Sequence, residues 1–403
     1  MKNSYFLQKA RTQDKWRLHD SINLLPSENV TSPQLRALLS SDFGHRYTLP
    51  VNADFAGDFI ENSYRGTRLS SEIEASAEMV AREVFHSKFA CVQPLSGHIA
   101  AMIVIASTAP RGEMVCSVSP ENGGYDGYAQ NYIPDLFGLT ACKLPFEAKS
   151  HNLNVEATCR LIRDKEPRLV VLGASFFLFP YDMKPIKEAC REAGSTLAYD
   201  GSHVLGLIAG GEFQNPLRDG ADVLYGSTHK SFFGPQGGLI VTNGKEIDDA
   251  VRKNLTWRVV DNIHWNRVAA LGQALLEAKK FGPAYAKQVV RNSKRLGKEL
   301  DERGFPIMFG DLGYTQSHQL LIDQKRVKRK FGITYNDFSV RMERSNIIID
   351  SVARLGTAEM TRLGMKERDI PELADIFMEA ATGKDVAKKV KRFRGRYAME
   401  FVF

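Results

Sequence analysis

The sequence predicts an α/β protein, with a mostly parallel sheet in a large domain and a smaller C-terminal α+β domain. Three observations predict this class. Short β-branched runs alternate with amphipathic stretches through the middle of the chain, an order typical of right-handed crossovers and a sheet covered on both faces. From about residue 262, longer helical patterns replace that alternation. The chain has 403 residues, 43% hydrophobic and 25% charged, which suits a globular protein of two domains.

Five apolar runs supply the predicted strands of the large domain, and amphipathic stretches supply helices between them. The strands are residues 114–119, 168–175, 196–200, 221–227 and 238–243, and the helices are residues 155–165 and 185–193. The small domain shows helical patterns at 267–281, 286–303 and 372–380 and strand patterns at 319–322 and 346–349. We therefore divide the chain into an N-terminal arm (1–30), a large domain (31–260) and a small domain (261–403).

The composition limits the classes of function. No apolar run approaches the roughly 18 residues of a membrane helix, and the charged N-terminal segment lacks the apolar core of a secretory signal, so we expect a cytoplasmic protein with no membrane partner. The five cysteines are odd in number and form no CxxC pair, which indicates a reduced compartment without disulfides or a metal site. The basic residues of 384–396 fit a solvated helix better than a nucleic-acid surface, because few aromatic residues lie among them.

Three ionisable residues follow predicted strands at the edge where open α/β sheets bind ligands. Asp200 ends one strand, His203 lies three positions on, and Lys230 follows the next strand. Pyridoxal phosphate (PLP) needs such a set: a lysine amine for an imine, an acid for the pyridine nitrogen and a group near the phenolic oxygen. Each residue alone has an ordinary structural explanation, but the 30-residue separation of Asp200 from Lys230 spans one β-α-β step. The sequence therefore predicts a PLP site with Lys230 as the imine lysine.

A second segment supports a cofactor that carries a phosphate. Residues 94–98 read Pro-Leu-Ser-Gly-His and open an apolar helical stretch. A small-residue turn at a helix N-terminus offers backbone N–H groups and a favourable dipole to a phosphate. Alone this motif is weak evidence, and it supports a phosphate-bearing cofactor only together with Asp200 and Lys230.

Five ordered segments resemble the serine hydroxymethyltransferase family, and together they extend over most of the chain. They are LLPSENVTSP (24–33), CVQPLSGHIAA (91–101), AYDGSHVLGLIAGGEF (198–213), GSTHKSFFGPQGGLI (226–240) and ARLGTAEMTRLGM (353–365). The resemblance implies PLP fold type I and a homodimer. It also implies an enzyme that breaks or forms the Cα–Cβ bond of β-hydroxy-α-amino acids of the serine and glycine type.

The resemblance further implies roles for individual residues. The residues expected to bind the cofactor are Ser96, Gly97, Tyr125, Ser175, Asp200, His203, Ser227 and Lys230. Those expected to bind the amino acid are Ser27, Tyr47, Tyr64 and Arg354, with both tyrosines contributed across a dimer interface. Those expected to act in catalysis are Lys230, Glu28, Tyr64, His203 and His229. Arg354 also has a physical argument of its own, since a planar guanidinium binds a carboxylate through two hydrogen bonds. For Glu28, a helix-capping or salt-bridged role is the plain alternative.

Departures from the family pattern cluster on the side of the pterin carrier. Leu49 stands where the family has a glutamate, and Glu61, in the longer stretch that follows, is a candidate substitute. Asn122 stands where a histidine stacks on the cofactor ring, which leaves Tyr125 for that role, and Gln236 replaces an arginine of the lysine loop. These departures concern the carrier more than the residues around PLP.

Two segments also depart from the family pattern. Residues 259–266 (VVDNIHWN) replace a Gly-rich turn that in the family offers backbone donors to a neighbour's phosphate. Residues 345–357 (SNIIIDSVARLGT) lack the longer loop that helps to hold the pterin. A tetrahydropterin cosubstrate is therefore doubtful, and two catalytic hypotheses stand: a hydroxymethyltransferase with a pterin carrier, and a pterin-independent aldolase or transaldolase. A third hypothesis is a non-catalytic binding protein. The intact set Asp200, His203, Lys230 and Arg354 argues against it.

Overall fold

The computed structural model describes residues 4–49 and 62–403. The chain divides into two compact units, which we call the small unit (Met1–Asn29 with Ala284–Val402) and the large unit (Val30–Pro283 with Phe403). The division at Pro283 falls inside a long helix, whereas the sequence-based limit lies at residue 260. The predicted arm and domain limits stay predictions.

The described residues form fifteen α-helices and thirteen strands. The helices are α1 Tyr5–Lys15, α2 Pro33–Leu39, α3 Arg68–Phe85, α4 Gly97–Thr108, α5 Ile133–Leu136, α6 Val155–Lys165, α7 Met183–Glu192, α8 Leu205–Ala209, α9 Lys245–Leu255, α10 Trp265–Glu302, α11 Gln324–Phe331, α12 Tyr335–Arg344, α13 Ala358–Arg362, α14 Ile370–Ala381 and α15 Ala387–Arg394. The strands are β1 Ile22–Asn23, β2 Phe89–Cys91, β3 Met114–Ser117, β4 Thr140–Lys143, β5 Phe146–Glu147, β6 Asn152–Leu153, β7 Leu169–Leu172, β8 Thr196–Asp200, β9 Val223–Ser227, β10 Gly238–Thr242, β11 Gln319–Leu321, β12 Ile347–Ile348 and β13 Arg354–Gly356.

The large unit is built on a seven-stranded sheet of order β2-β10-β9-β8-β7-β3-β4. The pairs from β9 to β4 are parallel, and β10 runs antiparallel to both of its neighbours. The reversal of β10 follows from its connection, because residues 228–237 join it to β9 without a crossover helix, and a parallel pair needs one. The predicted α/β class with a mostly parallel sheet is confirmed.

The core of the large unit lies on both faces of the central strands. Every residue of β7, β9 and β10 is buried, as expected of strands covered on both sides. Helix α4 is apolar over most of its surface because it packs against β9, β10 and α9 at once. The sheet therefore gives the carboxyl ends of β7, β8 and β9 a rigid base.

The small unit combines two short ladders with a layer of helices. Strand β1 pairs in parallel with β12, and β11 pairs antiparallel with β13. The rings of Phe305, Phe338 and Phe377 pack together in its core, with centroids 5.0–6.3 Å apart. The first ladder joins the N-terminal segment to the C-terminal part of the chain.

One helix replaces two that the sequence predicts. The predicted helices 267–281 and 286–303 are parts of the single helix α10, which ends at Glu302 and has Pro283 in its interior. A proline removes one backbone donor and strains one turn, but buried side chains such as Leu275 and Tyr285 lie on both sides of it. Burial on both sides offsets that local cost, so the helix continues. No helix in the described part of the chain has the length and apolar run needed to cross a bilayer.

Candidate active site

A cavity of about 190 Å³ lies at the carboxyl ends of β7, β8 and β9 in the large unit. Its lining is formed by Ser96, Gly97, His98, Tyr125, Ala174, Ser175, Asp200, Ser202, His203, Ser227, His229 and Lys230. All eight residues expected to bind the cofactor are among them. The structure therefore brings Asp200, His203 and Lys230 together, as the strand-end argument expected, and adds the residues that the resemblance supplied. The individual roles of all eight stay predictions.

Asp200 is held in one orientation at the floor of this cavity. Its Oδ2 accepts a hydrogen bond from Tyr128 Oη at 2.6 Å, and its Oδ1 accepts from the backbone N and the Oγ of Ser202 at 3.0 and 2.5 Å. Tyr128 Oη also lies 2.5 Å from Tyr225 Oη. Sequence reasoning missed this network. Tyr225 lies two residues before Ser227 in β9, and this spacing predicts that both side chains lie on the same face of the strand. Nothing in the sequence predicts that Tyr128 lies beside Asp200.

The turn before α4 approaches the end of β9 closely. Ser96 caps the helix, its Oγ accepting a hydrogen bond from Ile99 N at 3.1 Å. A Cβ atom on Gly97 would lie 2.8 Å from Ser227 Cβ and 2.9 Å from Ser227 N. Only glycine fits at this position. The result is a twelve-residue helix whose N-terminus faces the cavity, a site suited to a phosphate group.

The loop from Thr228 to Gly237 fixes Lys230 at the cavity wall. Thr228 N donates to Gly237 O at 3.0 Å, Thr228 Oγ1 donates to Pro235 O at 2.7 Å, and Gly234 N donates to Thr228 O at 2.7 Å. These bonds fold the loop back on its own first residue. The position of Lys230 is therefore set by the backbone around it.

His229 is a neutral imidazole beside that lysine. Burial and the nearby Lys230 ammonium lower the pKa of His229 to about 4. Its Nδ1 is buried and has no hydrogen-bond partner among the described residues. Such a ring atom is ready to meet a ligand, because an unsatisfied buried polar group costs free energy.

Tyr125 supplies an aromatic ring to the lining of the cavity. Its Oη lies 2.8 Å from His98 Nδ1, and its ring is edge-to-face with that of Tyr128 at 5.3 Å. Burial, and then the charge of Asp200, raise the pKa of Tyr125, so its hydroxyl stays protonated. Asn122, which occupies the family's stacking position, instead bonds Ser119 through its side chain and does not line the cavity.

These groups fit PLP. Each chemical part of that cofactor has a matching group: the lysine amine for the aldehyde carbon, the oriented carboxyl group for the pyridine nitrogen, the helix N-terminus for the phosphate, and the aromatic ring for the face of the pyridine. Lys230, Asp200, Ser96 with Gly97, and Tyr125 are the residues that would hold it.

Two predicted tyrosines lie elsewhere on the large unit. Tyr47 Oη donates to Asp261 Oδ2 at 3.0 Å, and the rings of Tyr47 and Tyr64 are 4.9 Å apart. They are 37% and 43% exposed and do not line the cavity. Leu49 is 8% exposed, and its backbone is bonded to Asn62 Oδ1 and Ser63 N. Glu61, the candidate substitute for the family's glutamate, lies outside the described residues.

In the small unit, Arg354 is oriented by an aspartate four residues earlier. Asp350 Oδ2 accepts from Arg354 Nε at 2.8 Å, and Asp350 Oδ1 accepts from the backbone N–H groups of Val352 and Arg354 at 3.1 and 2.9 Å. This tight turn occupies the place of the family's longer loop. His318 is fully buried nearby, and burial together with the charge of Arg354 lowers its pKa to about 3.

Glu28 follows Ser27 in the same unit and is bound on one side. Its Oε2 accepts hydrogen bonds from the guanidinium of Arg17 and, at 3.0 Å, from Asn23 Nδ2. The ion pair with Arg17 corresponds to the plain alternative for Glu28. The roles of Ser27 and Glu28 in binding and catalysis stay predictions.

The fold and the cavity define a PLP-dependent enzyme of fold type I, and comparison with known proteins gives the family. The serine hydroxymethyltransferase family model matches residues 5–377. A serine hydroxymethyltransferase of Methanocella arvoryzae is 38% identical, over 97% of this chain and 94% of the relative, and one of Methanocaldococcus jannaschii is 36% identical, over 96% and 92%. This chain belongs to the serine hydroxymethyltransferase family. Family membership confirms the predicted resemblance, the PLP cofactor and the class of enzyme.

A solved structure shares the fold. The crystal structure of an L-threonine transaldolase from Pseudomonas fluorescens in its internal aldimine state superposes with a TM-score of 0.89. The alignment covers 99% of this chain and 93% of that one, at 24% sequence identity. At that identity the likeness is evidence for the fold alone.

Proposed function

We propose that this chain cleaves and forms the Cα–Cβ bond of β-hydroxy-α-amino acids of the serine and glycine type. The observation that carries the proposal is the cavity that joins Lys230, Asp200 and the Ser96–Gly97 turn. It occurs in a chain that aligns with serine hydroxymethyltransferases over more than nine-tenths of its length.

PLP, when bound, supplies an electron sink for the bond that breaks at Cα. Lys230 would supply the amine that holds it, and Asp200 would pair with the pyridine nitrogen through a carboxyl group already oriented by Tyr128 and Ser202. The α4 N-terminus at Ser96 would bind the phosphate. Each of these groups is positioned before the cofactor arrives, which lowers the cost of ordering on binding.

The residues of the small unit would handle the amino acid itself. Arg354 would bind the substrate carboxylate bidentately, with its orientation fixed by Asp350. Ser27 would add a hydrogen bond to the same carboxylate. Glu28 would accept the proton of the β-hydroxyl group, a step that lets the carbonyl product leave. In the large unit, His229 stays neutral near pH 7, so its imidazole adds no positive charge beside Lys230.

A second candidate is a pterin-independent aldolase or transaldolase, and two observations favour it. Leu49 is a buried apolar residue where the family places a glutamate, so it cannot relay a proton. The turn from Asp350 to Arg354 is closed by three hydrogen bonds and leaves no long loop to hold a pterin. Both features concern the carrier and leave the chemistry at Cα unchanged.

One assay separates the two candidates. Purified protein is given serine or threonine, and in the reverse direction glycine with an aldehyde, each with and without tetrahydrofolate. Turnover of a β-hydroxy amino acid that is indifferent to tetrahydrofolate supports the aldolase or transaldolase. Serine turnover that requires tetrahydrofolate supports the hydroxymethyltransferase. No reaction with any of these substrates would rule out the proposed function.

We also propose that the chain forms a homodimer through an apolar groove of the large unit. The groove, of about 260 Å³, is lined chiefly by Leu38, Ile73, Val80 and Leu276 from α2, α3 and α10. Leu276 is 42% exposed, and a partly exposed apolar stripe of this kind is typical of an interface. The exposed tyrosines Tyr47 and Tyr64 suit residues that serve a neighbouring subunit.

Replacing one groove residue tests the dimer. Leu276→Lys would place a charge in the interface, and we expect sedimentation to show a shift from dimer to monomer with loss of activity. Leu312→Lys is the control, since Leu312 is 41% exposed, belongs to the small unit and does not line the groove. A parent protein that is monomeric and fully active would contradict the proposal.

We propose that the protein is cytoplasmic. All five cysteines are free thiols, and four of them are buried, which is typical of a protein made in a reducing compartment.

A further inference from the structure

Two glutamates of the small unit share one amide donor. Asn23 Nδ2 donates to Glu28 Oε2 at 3.0 Å and to Glu359 Oε2 at 2.6 Å. The Oδ1 atom of Asn23 accepts from Leu25 N at 3.0 Å. That bond fixes the orientation of the amide, because a flipped group would turn its oxygen toward both carboxyl groups. The two carboxyl groups are therefore held at a single point.

The two carboxyl groups have opposite surroundings. The side chain of Glu28 is 42% exposed and ion-paired with Arg17. Glu359 is the second residue of α13 and is 7% exposed. In the described part of the chain, no basic side chain forms an ion pair with Glu359. A lone buried charge is costly, whereas a neutral carboxylic acid with a hydrogen bond is not. Two carboxyl groups whose environments differ in this way divide into an ionised and a protonated member.

The other charged or titratable groups near Glu359 do not supply a counter-charge in contact. Arg394 on α15 donates to Tyr397 O at 2.9 Å, and Tyr285 on α10 accepts from Asn29 Nδ2 at 2.9 Å. The charges of Arg17 and Glu28 also act on Glu359. Arg362, three residues on in α13, acts on the same Tyr285 and donates to Phe401 O. Burial raises the pKa of Glu359 to about 7, partly offset by Asn23 and Arg17.

The pair lies beside the residues expected to hold the substrate carboxylate. Gly356 N donates to Leu24 O at 2.7 Å, which ties β13, with Arg354 at its start, to the segment after Asn23. A Cβ atom on Gly356 would lie 2.5 Å from Pro26 Cα, so the two segments are in direct contact. Both Glu28 and Asp350 are already paired with an arginine. A further, unpaired negative charge at Glu359 would act on this pocket through the protein interior, where screening is weak.

We propose that Glu359 is a positioning residue that holds its own proton beside Glu28, which is paired with Arg17, and so keeps a further negative charge away from the carboxylate pocket. This inference rests on the proposed function, since the pocket is that of Ser27 and Arg354. When Glu359 loses its proton, the affinity for an amino-acid carboxylate falls. The Glu359→Gln substitution keeps the shape of the protonated acid and removes the titration.

Two measurements on the PLP-loaded protein test the proposal. The first is the infrared carbonyl stretch of protonated carboxylic acids near neutral pH. Subtracting the spectrum of the variant from that of the parent cancels the absorption of every other carboxyl group. We expect Glu359→Gln to lose one such band and Glu28→Gln to keep it. The second is calorimetric binding of glycine. We expect the parent Kd to rise about threefold or more between about pH 6 and about pH 8.5, and the Kd of Glu359→Gln to change less than that.

The outcomes are separable. An infrared band that persists in Glu359→Gln overturns the inference, whatever the enzyme does. A lost band with a Kd that rises equally in parent and variant overturns the effect on the pocket. Absence of glycine binding in both counts against the proposed function, while the band still decides where the proton resides. Glu379→Gln, which removes a partly exposed glutamate paired with Lys389 in the same unit, is the control and should match the parent in both measurements.

Discussion

The substitution Glu359→Gln should also change how stability depends on pH. Burial raises the pKa of Glu359 from an ordinary 4.5 to about 7. The folded protein therefore binds a proton that the unfolded chain has released between these two values, and stability falls as pH rises through that window. At about 1.4 kcal/mol per pKa unit the loss is at most about 3.5 kcal/mol. A glutamine at this position cannot ionise, so the variant escapes the loss.

Urea unfolding at about pH 5 and about pH 7.5 measures this difference. Near pH 5 we expect parent and Glu359→Gln to have similar unfolding free energies. Near pH 7.5 the variant should be more stable than the parent by about 2 kcal/mol. This is less than the upper bound, because the protein relaxes around the charge of the ionised Glu359 and so reduces its cost. Glu379→Gln should follow the parent at both values. If the variant and the parent differ by the same amount at both pH values, Glu359 does not titrate in this window and the reasoning is wrong.

Three further predictions concern the cofactor and the carrier. Lys230→Ala should abolish the borohydride-reducible link to PLP, and a label found on another lysine would disprove its assignment. Gly97→Ala should weaken PLP binding about tenfold or more, because its Cβ would lie within 2.9 Å of Ser227 backbone; equilibrium dialysis measures this, with Gly244→Ala as control because its nearest neighbour is 3.7 Å away. Leu49→Glu should leave turnover insensitive to tetrahydrofolate, because the turn before Arg354 stays short, and strong stimulation of this variant would refute the argument.

The parts of the site that follow strands could be predicted from the sequence. Asp200 and Lys230 lie at strand ends, and the hydrophobic pattern that marks a strand also marks where it stops. The cavity that joins them with the Ser96 turn then follows from the rule for open sheets. The local hydrophobic pattern and the rule for open sheets are together sufficient to predict the position of this part of the site.

Other features depend on contacts that no local pattern records. Tyr128 reaches Asp200 across 72 positions of sequence, and its segment has neither strand nor helix periodicity. The continuity of α10 through Pro283 is decided by burial on both sides, which a local proline signal opposes. Glu359 reads as a helix-forming acid in sequence, yet its burial and its bond to Asn23 come from the packing of distant segments.

The reversed strand β10 affects how freely the lysine segment can vary in sequence and how fast its amide hydrogens exchange. Surface loops usually vary in sequence and exchange their amide hydrogens quickly. The segment from Thr228 to Gly237 is pinned at both ends by neighbouring central strands and closed by its own backbone bonds. Its amides at Thr228 and Gly234 should therefore exchange as slowly as those of the sheet, and insertions there should be poorly tolerated.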